Sequence, residues 1–233
     1  MFDKTNRTLL VSAAIAAAVA LLFALPLHAQ DRALVGLRSP AASTTWPVAP
    51  GAGPASNEAK LMARWVISTR DNHAMPFVIV DKKATTVLVF DGDGRLLGDT
   101  PVLLGLARGD DSARGVGDKK LSDIPPEERT TPAGRFIASL GYGLGKQDIL
   151  WLDYHSALAL HRVLPASSRE QRLQRMASSS PRGRRITFGC INVPTTFYDT
   201  VIHPAFTKTS GVVYILPEIK TIAEVFSGYD SAT

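Results

Sequence analysis

The chain has 233 residues, of which 45% are hydrophobic, a formal net charge of +5 and a single cysteine. This mildly basic charge suits an acidic polymer surface and does not indicate nucleic-acid binding. One cysteine excludes an intramolecular disulfide, and the scattered histidines offer no ligand-pair spacing for zinc.

Residues 1–29 predict export from the cytoplasm. Lys4 and Arg7 precede an apolar run over residues 9–27, and Leu27-His28-Ala29 is an acceptable signal-peptidase site. The run is nearly as long as the roughly 20 apolar residues that span a bilayer, so an uncleaved membrane anchor is the alternative. Both interpretations predict a periplasmic or cell-envelope protein that touches the membrane only through this segment.

The rest of the chain is predicted to form one domain behind a tether. Residues 30–55 are rich in Ala, Pro, Ser, Thr and Gly, which is typical of a flexible linker. The remaining roughly 175 residues suffice for one domain with a substantial core. We divide them into an N-terminal helix (56–76), a main domain (77–220) and a C-terminal tail (221–233).

The first elements are predicted to be a helix and then strands. Ser56 can cap a helix over residues 57–69, where Leu61, Trp65 and Ile67 or Ser68 form an approximate stripe at helical spacing. Strands are predicted over residues 77–80, 85–90 and 95–104. Turn residues 91–94 separate the last two strands, so we expect an antiparallel meander.

The second half of the chain alternates loops and strands. Residues 105–129 form a long polar segment, either a surface loop or a flap over a site. A turn over residues 130–134 leads into the next strand, and further strands are predicted over 149–154, 157–163 and 212–216. The predicted fold class is therefore mainly β with short helices.

Residues 167–185 form a basic insertion within the main domain. Ser167 and Glu170 have capping-box spacing, so a short helix is predicted over residues 169–177. Such a run of arginines is usually a solvated face, and binding of an anionic ligand is the alternative.

Cys190 is the candidate reactive residue. An unpaired thiol in an oxidising compartment suggests use, and Gly189 before it leaves the sulfur approachable, although a packed core thiol is the alternative. A cysteine nucleophile needs a nearby base. His161, at the end of a predicted strand, can serve, and His155 competes with it, whereas His203 beside a proline is typical of a turn.

Four features in order resemble one family. They are the opening hairpin over 77–104, the segment Thr131-Pro132-Ala133-Gly134-Arg135-Phe136, the triplet Leu160-His161-Arg162 and the segment Thr187-Phe188-Gly189-Cys190-Ile191-Asn192. Together they resemble the L,D-transpeptidase (YkuD-like) catalytic domain of bacterial cell-wall enzymes, over residues 77–217. The resemblance implies a β-sandwich or mixed-sheet catalytic domain preceded by a helix.

The resemblance also implies roles for individual residues. Cys190 would be the nucleophile and His161 its base, with the backbone carbonyl of Arg162 orienting the imidazole. The backbone amide of Gly189, with that of Cys190, would form the oxyanion hole. Thr187, Phe188 and Asn192 would touch substrate or brace the loop, and no metal or organic cofactor is implied.

The sequence departs from the family pattern in two places. Phe188 occupies the position before Gly-Cys where the family usually has histidine, although that histidine is not the base. The interval from base to nucleophile is longer than usual by about ten residues, which a surface loop tolerates at small entropic cost.

The implied reaction is an acyl transfer on peptidoglycan stem peptides. The cysteine would displace the terminal D-alanine of a tetrapeptide, and an amine of a second stem or of a lipoprotein would capture the thioester. Two alternatives remain open: a hydrolase on the same site (carboxypeptidase or amidase), and a wall-binding homologue without activity.

Overall fold

The computed structural model describes residues 55–143, 146–164 and 170–229, so residues 1–54, with the predicted export segment, lie outside the described residues. Within the described ranges, no helix is long and apolar enough to cross a bilayer. The strands there are β1 Phe77–Asp81, β2 Thr86–Phe90, β3 Leu96–Pro101, β4 Leu104–Gly105, β5 Gly134–Tyr142, β6 Asp148–Asp153, β7 Leu158–Arg162, β8 Arg185–Thr187, β9 Ile191–Val193 and β10 Gly211–Ile215.

The helices are short apart from the first. The α-helices are α1 Asn57–Thr69, α2 Arg172–Ala177, α3 Thr195–Phe197, α4 His203–Phe206 and α5 Ile222–Val225. A π-helical turn, Tyr198–Ile202, joins α3 to α4. The predicted long loop contains three 3₁₀ turns, Val116–Asp118, Leu121–Asp123 and Pro126–Glu128, and a fourth, Pro181–Arg184, precedes β8.

Eight strands form one mixed sheet in the order β3-β2-β1-β10-β5-β6-β7-β9. The β1–β10 and β7–β9 pairs are parallel and the other neighbours are antiparallel. Beyond β3, Leu103 exchanges two backbone hydrogen bonds of 2.9 Å with Asn192 in β9, which nearly closes the sheet. The predicted mainly β class with a mixed sheet is confirmed.

Both faces of the central strands are buried. In β1, Val78 and Val80 pack into one core with residues of β2, β5, β6, β7 and β9. Phe77 and Ile79, on the opposite face because side chains alternate along a strand, pack under α1. Each face therefore has an apolar layer, and the sheet is a rigid support.

Helix α1 confirms the predicted helix and, of its predicted apolar stripe, only Trp65, which is 6% exposed. The Ser56 hydroxyl accepts a hydrogen bond from the amide of Ala59 at 3.1 Å, which caps the first turn. Met62 and Val66 are fully buried, whereas Leu61 and Ile67 are 39% and 41% exposed. The buried face follows the i, i+3, i+4 spacing of residues 59, 62, 63 and 66, which the stripe missed.

Two predicted boundaries are wrong. The third strand ends at Pro101, and Leu104–Gly105 pairs instead with β8. The predicted C-terminal tail begins with helix α5, which Thr221 and Glu224 close with a capping box. Phe226 and Tyr229 are buried in the core under α1, so these residues belong to the domain.

The basic insertion differs from its prediction. Helix α2 begins at Arg172 rather than at residue 169, with Gln171 as its N-cap, while the proposed cap Ser167 lies outside the described residues. Arg184 is 3% exposed, and Arg185 pairs with Glu218 at 2.7 Å. The insertion is therefore not a uniformly solvated face.

Lys82, which directly follows β1, forms a buried charge cluster with Asp110 and Glu218, here called the Lys82 cluster. The ammonium of Lys82 donates to the carbonyl of Gly109 (2.5 Å), the carboxylate of Asp110 (2.7 Å) and the carbonyl of Thr131 (2.9 Å). Burial alone would raise the pKa of Asp110, but hydrogen bonds from Lys82 and from three backbone amides lower it to about 2. The cluster therefore fixes the position of the backbone carbonyl of Thr131.

Candidate functional site

The candidate site lies where β7 and β9 run side by side. These strands are parallel, and His161 is in register with Asn192. Paired residues of neighbouring strands project to the same face of a sheet. The sheet therefore brings together two predicted residues that are 31 positions apart in the chain.

A tight loop joins β8 to β9 and carries Cys190. The Thr187 hydroxyl donates to the carbonyl of Cys190 at 2.7 Å and accepts a hydrogen bond from the amide of Gly189 at 3.2 Å. The Thr131 hydroxyl donates to the carbonyl of Gly189 at 2.7 Å. The loop is thus stabilised by hydrogen bonds of two threonine hydroxyls: Thr187 is close to Cys190 in sequence, and Thr131 comes from a distant segment.

Gly189 is required by this loop. Its φ of 134° lies in a region that side chains disfavour, and a Cβ there would lie 2.9 Å from the carbonyl oxygen of Thr130. Its amide, expected to form part of the oxyanion hole, already donates to Thr187. This amide therefore already has an acceptor within the loop, the hydroxyl of Thr187.

The imidazole of His161 is hydrogen-bonded on both sides. Its Nδ1 lies 2.8 Å from the backbone oxygen of Arg162, and its Nε2 lies 3.1 Å from Nδ2 of Asn192. The Arg172 guanidinium donates to Oδ1 of Asn192 at 3.0 Å.

These contacts define the tautomer of His161. A guanidinium can only donate, so the amide oxygen of Asn192 faces Arg172 and its NH₂ group faces the ring. Nε2 must then accept, and Nδ1 carries the proton that it donates to Arg162. We refer to this chain of contacts, Arg172–Asn192–His161, as the imidazole relay.

Within the described residues, the thiol of Cys190 makes no hydrogen bond to this imidazole. Its sulfur donates to the carbonyl of Ala157 at 3.4 Å, and no hydrogen bond joins these two described side chains. Burial raises the pKa of the Cys190 thiol and lowers that of the His161 ring. At neutral pH both shifts favour a protonated thiol and a neutral imidazole in the free site.

A cavity of about 570 Å³ opens beside the thiol. Its apolar wall comes from Leu121 in the long loop, Ile149, Leu164 and Phe188. Its polar side is formed by the following residues: His161, Arg172, Thr187, Cys190, Asn192 and Gln147. The cavity thus collects Cys190, His161, Thr187, Phe188 and Asn192.

Phe188 packs against a cation. The Arg129 guanidinium lies 4.2 Å from the centre of its ring, a cation–π contact. A histidine at this position, as in the family pattern, would be less favourable beneath a guanidinium. This contact is a local reason for phenylalanine at position 188.

The other histidines lie elsewhere. His155 is exposed in the turn after β6 and lines a different depression from the one beside Cys190. His203 lies 3.8 Å from Asp148 at the start of α4, and His73 is exposed. Among the described residues, no group of three or more His, Cys, Asp and Glu could hold a metal.

Sequence reasoning missed Arg172 as a residue of this site. It was one of six arginines in the insertion, and nothing in the local pattern separated it from the others. Thr131 was recognised as part of a motif, but its hydrogen bond to Gly189 depends on contact between distant segments.

Comparisons with known proteins gave distant structural likenesses. No family model matches the chain. No curated protein matches it either. Among solved structures, an L,D-transpeptidase from Xylanimonas cellulosilytica is similar with a TM-score of 0.36 and 15% identity, covering 60% of this chain and 60% of that one.

A second solved structure is the helical cell shape determining protein Pgp2 (K307A mutant) from Campylobacter jejuni. Its TM-score is 0.42 at 12% identity, covering 72% of this chain and 58% of that one. The chain thus spans about three fifths of each structure. Both TM-scores are low, so the function proposed below rests on the motifs and the cavity.

Proposed function

We propose that the protein is an exported peptidoglycan L,D-transpeptidase that uses Cys190 as its nucleophile. The observation that carries this proposal is a single cavity that holds Cys190 beside His161, with Nδ1 of the imidazole tied to the carbonyl of Arg162. That tie leaves Nε2 as the basic nitrogen, the one required to take a proton. The motifs around these residues support the same assignment.

The first half-reaction forms a thioester. Nε2 of His161 exchanges its hydrogen bond with Asn192 for the thiol of Cys190 and takes the thiol proton. The sulfur then attacks the carbonyl carbon of the third stem residue, a diamino acid. The carbon–nitrogen bond to the terminal D-alanine breaks, and the imidazolium returns its proton to the leaving amine.

Donors for the oxyanion come from the loop. The amide of Gly189 is engaged by Thr187, so we assign this role to the amide of Cys190. Catalytic hydrogen bonds are often long or misaligned in free enzymes and shorten when substrate binds, so the missing contact between imidazole and thiol is compatible with activity.

The second half-reaction regenerates the thiol. An amine of a second stem, or of a lipoprotein, attacks the thioester while His161 takes its proton, and the proton then passes to the sulfur. An amide forms and the carbon–sulfur bond breaks. The cell envelope is the location at which the export segment would deliver the enzyme to this substrate.

The experiment that tests this function is product analysis of purified muropeptides by mass spectrometry. We expect crosslinked dimers with the wild-type protein and none with Cys190→Ala. Shortened monomers alone would indicate the hydrolase. Muropeptides left unchanged by both proteins would indicate the inactive wall-binding homologue, and crosslinked dimers from both would reject Cys190 as the nucleophile.

A further inference from the structure

Among the described residues that line the cavity beside Cys190, the charged side chain is that of Arg172. Of the side chains that line it, Arg172 is permanently cationic, and none of those in the described residues is a carboxylate. A cavity with a cationic group on a largely apolar wall favours an anionic ligand.

Other arginines of the insertion have structural roles. Arg175 donates to the carbonyls of Glu170 and Gly183, and Arg185 donates to Glu218. Arg184 is buried and donates to the carbonyl of Ser178. Arg182 is exposed and lies along a different depression. The structure therefore separates Arg172 from the other arginines of the insertion that lie within the described residues, 175, 182, 184 and 185.

Arg172 has hydrogen-bonding capacity left over. Its Nε donates to the carboxylate of Glu170 at 2.6 Å in an ion pair and its Nη1 to Asn192 at 3.0 Å, and its side chain is 13% exposed. A guanidinium has five N–H donors in a planar fork. The remaining ones, including both on Nη2, have no hydrogen-bond partner among the described residues. This fork matches the geometry of a carboxylate.

We infer that Arg172 binds a carboxylate of the peptide that donates the acyl group. The inference rests on the proposed function, which supplies the reason for a stem peptide to occupy this cavity. Such a peptide offers two carboxylates, one on the terminal D-alanine and one on the side chain of a diaminodicarboxylic third residue. Both present the same chemistry to the guanidinium.

The imidazole relay gives this binding a consequence for His161. A carboxylate is a stronger acceptor for the guanidinium than the neutral amide of Asn192. A bidentate contact with the carboxylate engages Nη1 as well as Nη2, so the hydrogen bond from Nη1 to Asn192 weakens and the Asn192 side chain loses the contact that fixes its orientation. Nε2 of His161 is then released to accept the proton of Cys190. Substrate binding and activation of the base are coupled through one side chain.

Binding of synthetic tetrapeptides to the Cys190→Ala protein, measured by calorimetry, tests the inference without turnover. One peptide keeps both carboxylates, a second has a C-terminal amide, and a third has an amidated side chain on the third residue. We expect Arg172→Leu to weaken binding of the first peptide about ten- to a hundredfold, the weight of a charge-assisted hydrogen bond. Arg172→Lys, which keeps the charge, should restore part of the affinity.

The amidated peptides identify which carboxylate is bound. The peptide that lacks it should bind weakly to the Arg172-containing protein and be insensitive to Arg172→Leu. Arg182→Leu is the matched control, since it removes an exposed arginine of the same insertion, and it should leave all affinities unchanged. Equal losses from Arg172→Leu and Arg182→Leu, or no saturable binding of the first peptide, would overturn the inference.

The proposed function is read separately, from product formation by the protein that retains Cys190. A carboxylate-dependent loss in Arg172→Leu without any product would leave Arg172 as a binding residue and reject the transferase. Product formation, combined with no effect of Arg172→Leu on binding, would support the transferase and reject Arg172 as a binding residue.

Discussion

The Lys82 cluster and the cavity beside Cys190 differ in how their charged and polar groups are paired. Lys82 is fully buried, and its ammonium has three acceptors at 2.5–2.9 Å. In the cavity, by contrast, Arg172 keeps donors unused and the thiol has only a long contact of 3.4 Å. A closed cluster can only stabilise, whereas an open one can exchange its partners for a ligand.

The two regions are physically connected. Lys82 donates to the carbonyl of Thr131, and the Thr131 hydroxyl donates to the carbonyl of Gly189. The rigid cluster thus supports the loop that carries the reactive sulfur. Substitutions in the Lys82 cluster should mainly lower stability, whereas the reactivity of the Cys190 thiol reports on the cavity.

The largest expected effect is on stability, from Lys82→Met. The substitution leaves Asp110 and Glu218 as buried carboxylates without this cation, so the free energy of unfolding should fall by about 3–5 kcal/mol. Urea denaturation measures this loss. Lys83→Met is the matched control: its ion pair with Glu58 is exposed, and the change should stay below about 1 kcal/mol. Similar losses in the two variants would refute the contrast.

A smaller effect is expected from Gly189→Ala, at the junction of the two regions. A side chain at φ 134° that also meets the carbonyl of Thr130 should lower the free energy of unfolding by about 1–3 kcal/mol. Gly115→Ala is the control, because Gly115 has φ 69° and open space around it. Thermal unfolding of both variants gives the comparison, and a penalty at position 189 no greater than at 115 would show that the contact with Thr130 is unimportant.

The pH dependence of thiol alkylation should report the protonation state of Cys190 in the free protein. Because the pKa of Cys190 is raised and that of His161 is lowered, the thiol is protonated at neutral pH. Alkylation by iodoacetamide should then be slower than for an unfolded thiol, and it should rise about tenfold per pH unit until the folded pKa is passed.

The unfolded reference is the same protein in urea, since the chain has one cysteine. A plateau of the alkylation rate near neutral pH in the folded protein would instead reveal a preformed thiolate–imidazolium pair. That result would contradict the hydrogen bonds described for His161.

The contrast between the two regions also separates what the sequence could predict from what it could not. The β-rich class and helix α1 followed from local periodicity and a capping serine. Cys190 and His161 were candidates from the residues themselves, and the resemblance to family motifs favoured His161 over His155 and added Asn192. The structure brings all three into one cavity.

Long-range contacts were beyond local patterns. The strands β8 and β9 have three residues each, too few to show an alternation. The Lys82 cluster joins residues 28 and 49 positions apart, and Arg172 reaches Asn192 only because the insertion folds back over β9. These contacts depend on tertiary structure, so neither the closed cluster nor the imidazole relay could be read from spacing.

The most direct test of the account is the intact mass of the protein after incubation with a stem tetrapeptide. The account predicts a mass increase equal to the tripeptide acyl group, without the terminal D-alanine, located on Cys190 and absent from Cys190→Ala. A wild-type protein that remains unmodified, under conditions in which its thiol still reacts with iodoacetamide, would contradict it.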